Sequence, residues 1–307
     1  VIGALDQIHE RINHDKFADF FIESYAYKAF ITGSERRTAE LMKVFDRLLG
    51  LIDSNGFIKY FPGSKKGSLW LTASILNAMQ ENPWAVNAMP PALVRALKSA
   101  VSDVLNKTVE PNYIALSPQP IDWLMAQAAM ARAAFVLNDV QLVQEAKNVN
   151  KLIKADLAAN PTKFGAPLKD WSSQDLINLW LLDVYADPTS AKKSEILATL
   201  KSASRLVYVG NTATLAGAPA YRSFYSDETI STADLLLGVS KLGLDRNFSR
   251  ALALGLINSS RTAWYASKTL MSVASSMKAF GRAYESEPMK GSATIAVAEE
   301  KRSVEVA

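Results

Sequence analysis

Few side chains in this sequence could carry reaction chemistry, and most of them are scattered. None of the 307 residues is cysteine, which removes disulfides, thiolate metal sites and thiol nucleophiles together but leaves the compartment open. The only histidines are His9 and His14, in Ile8-His9-Glu10-Arg11-Ile12-Asn13-His14. This run superficially resembles the helix of a zinc protease, but that helix spaces its histidines four apart. The spacing here turns them about 140° from each other around a helix, so they read as polar residues of an amphipathic first helix. Zinc-dependent prenyltransferases and lanthionine cyclases need Cys, His or Asp ligands, and that set is missing. No Asp-rich cyclase motif occurs, and a pair such as Asp227-Glu228 reads as helix N-terminal charge. There is neither a Gly-rich phosphate loop nor a Gly-x-Ser-x-Gly elbow. Trp70, Trp84, Trp123, Trp171, Trp180 and Trp264 could line a sugar cleft, although such residues more often form the core of a helical ring. A glycosidase or polysaccharide lyase needs two facing carboxylates, and the sequence leaves that alternative open. No catalytic set, metal site or cofactor is expected.

The elements that would position any such residues are helices. Almost half the residues are hydrophobic, 49%, enough for one large core or two modest ones. Apolar positions recur at helical spacing between short Gly, Pro, Asn or Asp breaks. The pattern predicts helices over about 35–51 (opening on Ser34 and Glu35, closing near Gly50), 68–81, 91–107, 120–137, 139–158, 172–185, 189–204, 229–241, 246–258 and 262–284. Two or more helices are expected before residue 34. Pro90-Pro91 suits a first helical turn, and Asp139, Ser172 and Ser190 are candidate N-caps. Leu176, Leu179, Trp180 and Val184 make one apolar stripe. About a dozen helices of similar length suit either an open α-solenoid or helical hairpins closed into an α/α toroid. No period typical of tetratricopeptide or HEAT repeats is visible, which favours an all-α toroid of about six hairpins. After Pro288 the 3.6-residue period stops. Ser292–Ala298 and Ser303–Ala307 are predicted strands around Glu299-Glu300-Lys301. The expected division is therefore a toroid over 1–288 and the start of an adjoining β domain over 289–307.

Charge narrows the partners. Thirty-four basic against 30 acidic residues leave a net charge of +4. The basic runs stop at pairs such as Lys65-Lys66 and Lys192-Lys193, so no nucleic-acid or membrane footprint is expected. No apolar run approaches the ~20 residues of a membrane span, so no direct membrane insertion is expected. A start at Val1-Ile2-Gly3, with neither initiator Met nor signal peptide, is expected of a piece of a longer protein.

Three segments together resemble the bacterial α2-macroglobulin family. Asn55-Gly56-Phe57-Ile58-Lys59-Tyr60-Phe61-Pro62-Gly63, followed by Gly67-Ser68-Leu69-Trp70-Leu71-Thr72-Ala73, is similar to that family's Gly-Gly-Phe-x-x-Trp/Tyr … Leu-Thr-Ala turn between toroid helices. Gly56 permits a tight turn, and the aromatic residues are expected to plug the layer between helices. Trp264-Tyr265-Ala266-Ser267-Lys268-Thr269-Leu270 resembles a Trp-x-Ser-Thr-Gln helix start, with loose spacing and without the Gln. The emergence into strands after residue 290 suits a helical domain inserted in a β-sandwich.

The resemblance also implies a site. The family's reactive element is Gly-Cys-x-Glu-Gln, whose cysteine sulfur and glutamine carbonyl condense to an internal thioester with loss of ammonia. Counting back from Glu35-Arg36-Arg37 places it at Gly3-Ala4-Leu5-Asp6-Gln7. Glycine and glutamine match, aspartate stands for glutamate, and Ala4 occupies the cysteine position. An acyl-transfer trap needs a nucleophile to hold its acyl group; alanine has none. Natural loss of the cysteine and its deliberate replacement both fit, and Asp6 favours the first. The implied protein is a non-enzymatic protease-trapping inhibitor of bacterial defence. It would act by steric, non-covalent entrapment after a protease cuts a bait region elsewhere. Its partners would be target proteases, neighbouring domains of the same chain and, as a further suggestion, a peptidoglycan synthase. Its setting would be the periplasm, tethered to the inner membrane by a lipid anchor outside this sequence.

Overall fold

Proline and short polar side chains decide where most helices begin. The computed structural model describes residues 8, 10–11, 21–32, 38–115, 118–160, 162–164, 166–202, 204–216, 228–262, 267–285, 291–297 and 300–306. Its helices are α1 Ile22–Thr32, α2 Thr38–Gly50, α3 Leu69–Ala78, α4 Pro83–Asn87, α5 Pro91–Leu105, α6 Pro120–Leu137, α7 Val140–Ala159, α8 Ser173–Ala186, α9 Pro188–Ala191, α10 Glu195–Leu200, α11 Glu228–Lys241, α12 Arg246–Thr262 and α13 Ser267–Tyr284. Four of them, α4, α5, α6 and α9, carry proline in the first turn, where the missing N–H costs nothing. Asp139 caps α7 by accepting from the amides of Gln141 and Leu142, and Ser172 caps α8 through Asp175 N.

Ser190 is not a cap. Asp187 takes that role for α9, accepting from Ser190 N, and Ser194 caps α10 through Ile196 N. The single helix expected over 189–204 is thus two short ones, because two competing cap residues restart the backbone within eight positions. A hairpin that the periodicity did not predict follows: β1 Leu206–Val209 pairs antiparallel with β2 Thr212–Leu215. Helix α3 also stops short of residue 81 and finishes in one 3₁₀ turn, Met79–Glu81.

The helices form two concentric layers. The inner ring runs α1, α3, α6, α8, α11, α13, each packed on the next, and α13 returns to pack on α1 and α3. This closure identifies a toroid and excludes the open superhelix of a solenoid. Outside it, α2 covers α1, α5 and α7 cover α6, α10 lies on α8, and α12 lies on α11 and α13. The sequence separates the layers by how much of each helix is apolar. Outer α5 buries one face, through Leu93, Leu97, Ala100, Val101 and Val104. Inner α8 buries Leu176, Ile177, Leu179, Trp180, Leu181, Leu182 and Val184, so its apolar surface is wider than the expected stripe. Inner α6 is alanine-rich, and its Ala126, Ala128, Ala131, Ala133 and Ala134 are all fully buried. Small side chains let its neighbours approach closely on several sides.

Trp180 and Trp171 belong to the core; Trp84 and Trp123 pack against it while half-buried, and Trp70 stands more open. The buried Trp180 indole donates to Ala191 O at 3.0 Å and anchors α9 to the ring. The chain ends in a second hairpin, β3 Gly291–Val297 with β4 Glu300–Val306, in register Gly291↔Val306 to Val297↔Glu300. The two C-terminal strands therefore exist, shifted by one to three residues from the expected bounds.

Candidate functional site: the Gly56 turn and the ring axis

The residues expected to carry the site, Gly3, Ala4, Leu5, Asp6 and Gln7, lie outside the described residues. So do His9, His14, the Ser34–Arg37 segment used to place them, Asp227 and Trp264. Helix α13 is described from Ser267, in the latter part of the second resembling segment.

The Gly56 turn is described in full. It joins outer α2 to inner α3, and a single carboxylate organises it. Asp53 Oδ1 accepts from the amides of Asn55 and Phe57, both at 2.9 Å. Its Oδ2 accepts from Gly67 N at 2.7 Å and from the Tyr113 hydroxyl at 2.9 Å. Asn55 Nδ2 also donates to that hydroxyl, at 2.9 Å. Asp53 thus closes the near turn, staples the far end of the loop and reaches across to the 3₁₀ turn Pro111–Tyr113. Burial, followed by the bond to Asp53, raises the Tyr113 hydroxyl above its ordinary value. A second chain of bonds seats α3. Ser68 N donates to Ile58 O at 2.8 Å, Ile58 N donates to Thr72 Oγ1 at 2.9 Å, and Thr72 Oγ1 donates to Ser68 O at 2.8 Å.

Gly56 has φ +84°, and a Cβ there would stand 2.1 Å from the Ala96 carbonyl oxygen of α5. At Gly67 a Cβ would meet Phe57 O at 2.3 Å. Phe57 is the aromatic plug that the motif suggested: fully buried, with its ring 4.7 Å from that of Tyr113. Tyr60 and Phe61 do not share this role. Both are exposed, and Phe61 makes an edge contact with the exposed Phe21 at 6.4 Å. Asp53→Asn turns an acceptor into a donor facing Gly67 N–H and Tyr113 O–H, or facing two backbone amides in the other orientation. It is expected to lower stability by roughly 2 kcal/mol, measured by urea unfolding.

The ring axis is polar at both ends. At the N-terminal ends, Asp122 accepts from Gln119 N at 2.8 Å and Asp175 engages Ser172. Both act as first-turn caps, where helix dipoles favour negative charge. Burial raises the Asp175 carboxyl, Ser172 pulls it back, and Asp122 adds to the rise. Deeper in, half-buried Asp234 accepts from Gln174 Nε2 at 3.1 Å; desolvation raises its carboxyl despite the nearby charge of Arg132. Each of these carboxylates therefore has a defined structural partner.

At the opposite end the C-termini of α3, α8, α11 and α13 gather around Glu81. Its Oε1 lies 2.7 Å from Lys241 Nζ and its Oε2 3.0 Å from Arg282 Nη1. Arg282 Nη2 also donates to the Glu81 carbonyl at 3.3 Å, and Lys278 donates to Asn82 Oδ1 at 3.1 Å. Lys241 and Arg282 stand in the last turns of α11 and α13, where the helix dipoles favour cations. Glu81 therefore ties the end of α3 to the last turns of α11 and α13, beside the seam where the ring closes. Periodicity gave no signal for this cluster, since its members are brought together only by closure.

Among the described residues no three His, Cys, Asp or Glu side chains form a metal-binding group, and no helix is long and apolar enough to cross a membrane.

No protein-family model matches the sequence, and no curated protein matches it. Solved structures do match. Native alpha-2-macroglobulin from Escherichia coli, spanning domain MG7 to the C-terminus, aligns over 98% of this chain and 45% of its own at TM-score 0.63 and 14% identity. Salmonella alpha-2-macroglobulin reacted with methylamine aligns over 99% of this chain and 19% of its own, at 0.64 and 15%. Escherichia coli alpha-2-macroglobulin activated by porcine elastase aligns over 89% and 22%, at 0.55 and 15%. The chain spans less than half the length of each, and shares the fold of that region.

Proposed function

We propose that this chain is the helical, thioester-type domain of a bacterial α2-macroglobulin-like protein, and that it works without a thioester. The observation that carries this reading is the structural likeness to bacterial alpha-2-macroglobulins over nearly the whole chain. The closed six-helix ring and the Asp53–Gly56 turn at the motif's position support it. On this reading residues 1–288 are the toroid and 289–307 begin an adjoining β domain. The role is inhibition rather than catalysis: a protease cuts a bait region in another part of the protein, the surrounding domains rearrange, and the toroid moves as a bulky rigid body that hinders the captured enzyme. One of the solved relatives was activated by elastase, which suits protease partners. Peptidoglycan synthase remains a candidate neighbour on family grounds, in a periplasmic setting with the lipid anchor on another segment.

The chemistry follows from composition. Without a thiol there is no sulfur to hold the Gln7 acyl group, so capture is non-covalent. Ala4→Cys restores the missing atom. Its sulfur would attack the Gln7 carboxamide and expel ammonia; methylamine would then attack the thioester carbonyl, giving N-methylglutamine and a free thiol. Peptide mass spectrometry of the Ala4→Cys chain should show methylamine at Gln7, and the chain as it stands should show none. Uptake by the unaltered chain overturns the non-covalent reading. Failure of the variant to react overturns the placement of the motif at residues 3–7.

A further inference from the structure

Asn55-Gly56 is the only Asn-Gly pair in the sequence. Asparagine before glycine is the pair most prone to lose its side-chain amide, because no side chain hinders the following backbone nitrogen from closing on the carboxamide. The reaction needs Gly56 N to give up its proton and reach Asn55 Cγ. In the folded chain both partners are engaged elsewhere. Gly56 N donates to Asp53 O at 3.1 Å, and Asn55 Nδ2 donates to the Tyr113 hydroxyl at 2.9 Å. Asn55 N is held as well, by Asp53 Oδ1 at 2.9 Å. Asn55 is half-buried, and Gly56 is buried with φ +84°. Three hydrogen bonds thus fix the amide and the carboxamide that would have to meet.

The same contacts dictate what the product would do. Attack of Gly56 N on Asn55 Cγ closes a succinimide ring; the Gly56 amide proton leaves to solvent, and the departing Nδ2 takes one up and is released as ammonia. Water then opens the ring. Cleavage at the side-chain carbonyl leaves aspartate, and cleavage at the main-chain carbonyl leaves isoaspartate, so either route consumes one water and releases one ammonia. Both products replace the Nδ2 donor with a carboxylate oxygen. The Tyr113 hydroxyl has a single proton, already given to Asp53 Oδ2 at 2.9 Å, so acceptor would face acceptor. Isoaspartate adds a second fault, because the chain then runs through Cγ. It lengthens by one atom the segment between the amides of residues 55 and 57, which Asp53 Oδ1 holds at 2.9 Å each. Phe57 cannot follow that change in place, since its ring is fully buried against Tyr113.

We propose that Asn55 is a spontaneous deamidation site gated by the Asp53 turn: the closed turn protects it, opening exposes it, and the modified turn does not close again in its original form. Water is the only co-reactant. Opening requires the loop to leave Asp53 and Tyr113 together, so the folded chain reacts only for the fraction of time that the turn is open. Tyr113 therefore protects a residue 58 positions away. The site lies in the segment that joins outer α2 to inner α3, so modification there loosens the seat of an inner-ring helix.

The test incubates the full chain at mildly alkaline pH, folded and in concentrated guanidinium chloride, and follows each asparagine by peptide mass spectrometry. Labelling with an isoaspartyl methyltransferase identifies the isoaspartate fraction. In denaturant, residue 55 should react ahead of every other asparagine. In the folded chain it should react at least about tenfold more slowly, and folded Tyr113→Phe should react several-fold faster than the folded parent. Asn55→Asp, identical to one product, should melt several degrees below the parent. If Tyr113→Phe does not fold, the ratio of denatured to folded rates in the parent decides whether the turn gates the site. Equal rates in the two states overturn the gating. Another asparagine reacting first in denaturant overturns the site. Asn55→Asp melting with the parent overturns the claim that the modified turn cannot reclose.

Discussion

Gly56→Ala should unfold the chain at a temperature roughly 10 °C lower than the parent, a loss on the order of 4 kcal/mol. Two penalties combine. The backbone at φ +84° lies in the left-handed region, where a side chain costs about 1–2 kcal/mol. The larger penalty is positional, because the new methyl would stand 2.1 Å from Ala96 O and 3.2 Å from Ala100 Cβ. The obstacle is backbone in the middle of α5, so relief requires shifting a helix rather than rotating a side chain. Moving α5 away would also pull the Asp53 loop from Tyr113. Thermal unfolding followed at 222 nm checks the size of the fall, and a drop of only a degree or two would mean that the turn can swing clear of α5. Gly50→Ala is the control: a Cβ there meets nothing within 4 Å.

Glu81→Ala should be nearly as severe, roughly 3 kcal/mol, whereas Arg282→Ala should cost less than about 1 kcal/mol. The asymmetry follows from burial. Glu81 is 3% exposed and serves both Lys241 and Arg282, while the Arg282 side chain is 61% exposed. Removing Arg282 leaves Glu81 with Lys241 and returns one cation to water. Removing Glu81 leaves two cations facing each other, beside Lys278, on helix ends it no longer joins. Urea midpoints of the two variants against the parent measure the difference. Equal losses would show that Arg282, and not the shared carboxylate, holds the seam. Because α3 and α13 are some 200 positions apart in sequence, as the Glu81–Arg282 bond spans |i−j| of 201, weakening this contact should also loosen ring closure. Hydrogen exchange in α1 and α13 should then rise before exchange in α6 and α8.

Much of the architecture was legible without coordinates because helix formation is local. Apolar spacing, proline in first turns and capping side chains within three residues placed α6 at 120–137 and put α7 and α8 within a residue of their ends. The same locality explains the error at 189–204. Asp187 and Ser194 each satisfied free amides at a new start, and two short helices replaced one. The hairpin over 206–215 escaped notice because it is held from outside: Leu215 N donates to Thr232 Oγ1 on α11, and buried Arg205 donates to the carbonyls of Lys169 and Trp171. Its strands are four residues each, too short for alternation to show. Asp53 was locally readable as an Asx turn before Asn55-Gly56, but its bond to Tyr113 spans 60 positions and was not.

By itself the sequence determined what this chain lacks and what it is built from. A chain without cysteine cannot form an internal thioester whatever its fold, since that bond needs a thiol sulfur. Helical periodicity likewise followed from side-chain order alone. Tertiary structure decided which helices line the axis, that the ring closes through α13 onto α1, and that Glu81, Lys241 and Arg282 share one seam. The reason is geometric: charges far apart in sequence acquire a common low-dielectric environment only when the two ends of the ring meet.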